Sequence, residues 1–153
     1  MRRICVFALA LAGLVWSADP EAERLPPGPG KAEVGAVCAK CHTLANIRRR
    51  RFSREEWTSE VADMVERGAK ADDEQVAAIL NYLTLNFGEN SKVRVNTAPM
   101  VEFKAVLELT ADEADAIVAY RDANGAFHQL SDLLKVPKVD GKKIEAKRDL
   151  LEF

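Results

Sequence analysis

Apolar and polar positions alternate along this chain in distinct regimes. Ile4 to Trp16 is an uncharged apolar run behind Arg2 and Arg3, with small Ser17 at its end. Crossing a bilayer takes about 20 apolar residues, so residues 1–17 read as a cleaved export signal with no stable membrane insertion afterwards. Residues 18–31 are rich in Pro, Gly and charge and predict an extended, flexible leader. Helical periodicity then begins. One helix is expected from Ala32 to Cys41. Ser53 with Glu56 forms a capping box opening a helix on which Trp57, Val61, Met64 and Val65 recur at helical spacing, with Gly68 as its stop. Asp72 and Asp73 open another helix, with Val76, Ile79, Leu80, Leu83 and Phe87 on one face and Gly88 at its end.

The pattern lapses over the polar residues 89–94, a linker, and restarts. A helix is expected from Ala98 to Leu107. A second capping box, Thr110 with Glu113, opens a helix through Ala114, Ile117, Val118 and Tyr120 that Asn124-Gly125 ends. Ser131–Leu134 predicts a helical turn and Lys142–Leu151 a closing helix. No segment reads as a strand. The fold class is all-α, in two compact halves covering residues 32–88 and 95–153.

Export changes the cysteine arithmetic. Cys5 leaves with the signal, so Cys38 and Cys41 remain, beside two histidines, His42 and His128. The formal net charge of −2 grows more negative once Arg2 and Arg3 are removed. That balance argues against a protein that coats nucleic acid or anionic lipid.

The candidate chemistry lies in Cys38-Ala-Lys-Cys41-His42. A redox dithiol normally accompanies a βαβ pattern, which is missing. Structural zinc wants four ligands, and only two thiols and two scattered histidines remain. A histidine directly after the second cysteine favours covalent haem c: Cys38 and Cys41 as thioether attachments, one helical turn apart, and His42 as axial iron ligand. A half of this size builds only a small core, and a macrocycle can serve as its centre, walled by Leu44, Ile47, Trp57, Val61, Ile79, Leu80 and Leu83. Met64 is the second axial ligand expected, on the same helix face as Trp57 and Val61; the alternative is a five-coordinate iron. Arg48 and Arg51, in the run Arg48–Arg51, are candidate partners for haem propionates, for which a planar guanidinium is suited.

With "CAKCH", Gly35, "EEWTSEVADMVERGA" and "EQVAAILNYLTLNFG", residues 33–88 resemble the small class I-like cytochromes c. The resemblance implies that the helix before the haem motif crosses the last helix, bringing Gly35 to Tyr82. "VNTA", "AIVAYRDANGAF", "LSDLLKVP" and "GKKI" resemble the tandem helix-hairpin-helix domain of ComEA-type competence proteins, which bind incoming DNA outside the cytoplasm. In that family, hairpin glycines let the backbone approach a phosphate. Here the first hairpin reads "LELTADEA", without glycine. In the second, "VPKVDGKKI", Lys138 and Asp140 stand at the glycine positions, and Asp140 is placed to cap the helix itself. Lys138, Lys142 and Lys143 are the candidate phosphate contacts.

The sequence therefore predicts a c-type cytochrome, periplasmic or otherwise exported, that passes single electrons to a redox partner protein. Its helix-hairpin-helix half would serve as the docking module. No nucleophile or acid–base pair suggests an enzyme. Two alternatives stand beside it: a periplasmic DNA-binding or DNA-uptake protein carrying a haem, and a haem-based gas sensor.

Overall fold

The computed structural model describes residues 24–153; the expected signal segment and the start of the leader lie outside them. The first half contains α1 (Lys31–Cys38), α2 (Ala45–Arg48), α3 (Arg54–Glu66) and α4 (Asp73–Phe87). The second contains β1 (Val93–Arg94), α5 (Met100–Val106), α6 (Ala111–Asn124), α7 (Leu130–Leu133), α8 (Gly141–Ala146), a 3-10 turn (Arg148–Leu150) and β2 (Leu151–Glu152). Among the described residues no helix is long and apolar enough to cross a membrane.

Local chemistry sets the helix starts. The Ser53 hydroxyl accepts from Glu56 N (3.1 Å) while the Glu56 carboxylate accepts from Ser53 N (2.8 Å). Asp72 with Gln75, and Thr110 with Glu113, close the same reciprocal box on α4 and α6. Each cap satisfies amides that the first turn leaves without helical partners and contributes about 1 kcal/mol.

Two separate apolar clusters form. Leu25, Val34, Val37, Leu44, Ile47, Trp57, Ile79, Tyr82, Leu83 and Phe87 make the first, where α4 packs on α1 and α3. The second gathers around Phe103, Leu107, Ile117, Phe127, Leu133 and Ile144. Asn96 clamps its loop onto Phe127, accepting from Phe127 N (2.8 Å) and donating to Phe127 O (2.9 Å).

Three expectations need correction. The leader is packed at its end: Leu25 is buried, and the Tyr82 hydroxyl donates to Pro26 O (2.5 Å). A crowded glycine at the α1–α4 crossing is Gly30, before α1. A Cβ there would lie 2.5 Å from Ala78 O and 2.7 Å from the Tyr82 Cβ, at a φ of +90°. Residues 89–94 are not a plain linker, because Val93 and Arg94 pair in parallel with Leu151 and Glu152. The expected closing helix accordingly stops at Ala146, and the chain leaves it to form that pair.

The halves are joined by buried charge. Arg48, 1% exposed, donates to Glu102 Oε2 through Nε (3.1 Å) and Nη2 (2.7 Å), and also to Arg24 O. Arg51 Nη2 donates to Glu102 Oε1 (2.7 Å). Both guanidiniums lie over the Phe87 ring, with 5.9 and 5.7 Å to its centroid.

A candidate haem cavity and a capped hairpin

The helices of the first half surround a cavity of about 490 Å³, within the roughly 300–1,000 Å³ of small-ligand and cofactor sites. Its entry side is set by α1. Val34 and Val37 bury one face of that helix, so its last residue, Cys38, arrives at the cavity. The turn after it brings Cys41 and His42 to the same space, and α3 supplies Trp57, Val61 and Met64 from across it. Ile47, Ile79 and Leu83 complete the apolar wall. Leu44 is instead fully buried in the core, and Leu80 packs beside it.

Burial pushes the Cys38 thiol up to about 11. Among the described residues no group of three His, Cys, Asp or Glu is placed to hold a metal ion. The His42 Nδ1 lies 3.1 Å from Thr43 O. With the proton on Nδ1 donated there, Nε2 keeps its lone pair for a ligand. The residues present thus fit a covalent haem: two thiols, an imidazole and a thioether around one apolar space.

Trp57 lines this cavity, yet its indole N–H is committed to Phe87 O (3.0 Å). Arg48 and Arg51 do not line it. Their guanidiniums point to Glu102 in the other half, which corrects the expectation that they meet propionates. From the arginine run the cavity receives Arg50, and from the end of α3 it receives Arg67, already paired with Asp63 (2.8 Å). Sequence reasoning missed Glu102. Its signal was a lone carboxylate between Val101 and Phe103 on an otherwise apolar helix face, 54 residues from Arg48.

The second half repeats one hairpin twice. Glu108 (φ +57°) and Lys138 (φ +70°) are both left-handed, and Thr110 and Asp140, each two residues later, both cap the following helix. The glycine backbone conformation therefore persists where the glycines do not. Two amides of the second hairpin are already satisfied. Asp140 Oδ1 accepts from Lys142 N (2.9 Å), and Glu113 Oε1 accepts from Asp140 N (3.1 Å). Glu113 also takes Lys143 Nζ at 2.9 Å. These donors, with the Thr110 amide first among them, hold the Glu113 carboxyl down at about 2. Of the three candidate phosphate lysines, Lys143 is thus tied to Glu113, while Lys138 and Lys142 are exposed.

Left-handed backbone costs a side-chain-bearing residue about 1–2 kcal/mol, against roughly 0.5–1 kcal/mol for the extra unfolded freedom of glycine. Lys138→Gly is expected to stabilise the protein by about 0.5–1 kcal/mol, a Tm rise of roughly 1–4 °C in a thermal melt. A lower Tm would show that Lys138 does not hold this conformation in solution.

Comparison with known proteins places this geometry. Residues 88–152 match the family model for the helix-hairpin-helix motif. Over 58 residues the chain is 34% identical to ComE operon protein 1 of Bacillus subtilis, an alignment covering 38% of this chain and 28% of that protein. No solved structure matches the chain. The second half is thus similar to helix-hairpin-helix domains.

Proposed function

We propose that the chain is an exported electron carrier: its first half holds one covalent haem, and its helix-hairpin-helix domain docks it to a redox partner. The observation that carries this reading is the convergence of Cys38, Cys41, His42 and Met64 on one apolar cavity. Cys38 and Cys41 would hold the macrocycle by thioethers, His42 and Met64 would ligate the iron, and Arg50 stands at the cavity for an acidic edge group. When bound, haem supplies a one-electron iron couple, whose potential methionine ligation raises relative to two histidines. The protein's own part is to keep water from the iron with Ile47, Val61, Ile79 and Leu83, and to fix the imidazole through Thr43.

The test is a pair of oxidised and reduced spectra, with and without carbon monoxide. A low-spin c-type spectrum with a methionine–iron charge-transfer band is expected, along with slow carbon monoxide binding. Met64→Ala is expected to abolish that band, lower the potential and admit carbon monoxide, while the haem stays attached. An unchanged band would remove Met64 as the ligand. A high-spin wild type would favour the gas-sensor alternative.

The family match and the likeness to ComE operon protein 1 support a second reading, in which the second half binds DNA. The exposed Lys138 and Lys142 are compatible with it. Against it, two amides of the second hairpin, those of Asp140 and Lys142, are already taken by Glu113 and Asp140. Saturable duplex binding at low salt, weakened by Lys142→Glu and steeply salt-dependent, would establish this reading. Its absence at low ionic strength would leave docking to protein.

A further inference from the structure

We infer that Glu102, in the helix-hairpin-helix domain, is a positioning residue for the haem cavity of the other half, an inference resting on the haem reading above. Its carboxylate is 3% exposed and reaches the cavity wall by three routes. Arg48, which Glu102 grips through two nitrogens, is the last residue of α2 and adjoins Ile47 on the cavity wall. Arg51, gripped through Nη2, donates to Arg50 O (2.9 Å) and so pins the backbone of a second wall residue. Both guanidiniums cover Phe87, whose carbonyl holds the Trp57 indole in place.

The segment 47–51, which carries the wall residues Ile47 and Arg50, is therefore set by an anion belonging to a different domain. A buried guanidinium cannot shed its proton, so without Glu102 both arginines must find water or new partners, and residues 47–51 move with them. The cavity that Ile47 and Arg50 line together with Met64 then opens more readily. Whatever displaces α5 in the second half is read at the iron by the same route.

The experiment is a titration of the oxidised, haem-bound, full chain with imidazole, an external ligand that competes with Met64. Glu102→Gln keeps the shape of the side chain and removes its charge. It is expected to bind imidazole on the order of ten-fold more tightly than wild type, a typical inter-site coupling. Arg51→Met, which leaves the Arg48–Glu102 pair intact, should shift affinity in the same direction by less. Glu113→Gln removes another buried carboxylate of the same domain that does not contact Arg48. It should leave imidazole affinity within about two-fold of wild type, well below that coupling. The inference is overturned if Glu102→Gln and Arg51→Met both stay within two-fold, or if Glu113→Gln shifts the affinity as far as Glu102→Gln. A wild type without haem overturns the haem reading itself, before any variant is made.

Discussion

Replacing Cys38 and Cys41 together with alanine is expected to give an exported chain that carries no covalent pigment. Its mass will be that of the bare polypeptide when it is made in a host able to mature c-type haem. The structural consequence should be as large as the chemical one. The cavity they adjoin measures about 490 Å³. A dry void costs roughly 24 cal/mol per Å³, so one of this size would cost on the order of 10 kcal/mol, comparable to the entire stability of a small domain. Water entering the open side reduces that figure but wets Ile47, Val61, Ile79 and Leu83. Helical circular dichroism from the first half should therefore melt at markedly lower temperature than in the haem-bound protein. A double variant that still retains the pigment after denaturation, or melts with the wild type, would end the attachment claim.

The second large effect concerns the seam. Glu102→Ala is expected to destabilise the protein by about 3–5 kcal/mol, the usual result of deleting one partner of a buried ion pair. Two guanidiniums share this carboxylate, one of them 1% exposed, so its loss leaves like charges facing each other in a poorly hydrated place. The midpoint of urea unfolding measures the change. High salt should restore little of it, since buried charges are weakly screened. Glu102→Leu combined with Arg48→Met should recover part of the loss, because both ions of the most deeply buried pair then leave together. A single Glu102→Ala within 1 kcal/mol of wild type would mean that the halves are not joined by this contact.

How far this architecture could be read beforehand depended on the range of the interactions involved. Ser53 with Glu56 and Thr110 with Glu113 are four-residue events, and the structure has both caps as the sequence has them. The apolar faces of α3 and α4 also follow from spacing, which is why Trp57, Val61 and Met64 arrive together at the cavity. The hairpin positions Lys138 and Asp140 were recognisable from their neighbours, although nothing local says that Glu108 and Lys138 both adopt a glycine-like backbone. Long-range partners were illegible. Arg48 and Arg51 lie within four residues of Ile47, and proximity to the haem motif suggested propionates. Their true partner sits 54 and 51 residues away. The pairing of Val93 with Leu151 was invisible for the same reason: two residues have no period, and only the closing of the second core brings them together. Leu25 sits in a stretch whose proline and glycine content argued for mobility, and a single tyrosine hydroxyl bond to Pro26 helps hold it down.

The parallel pairing of Val93–Arg94 with Leu151–Glu152 has a practical corollary for anyone attaching something to this protein. Entry into the module and exit from it are side by side, so a fluorophore, affinity handle or fused polypeptide grafted after Phe153 will start out beside the border with the neighbouring domain. A label on the exposed Lys138 of the second hairpin would instead lie outside that strand pair.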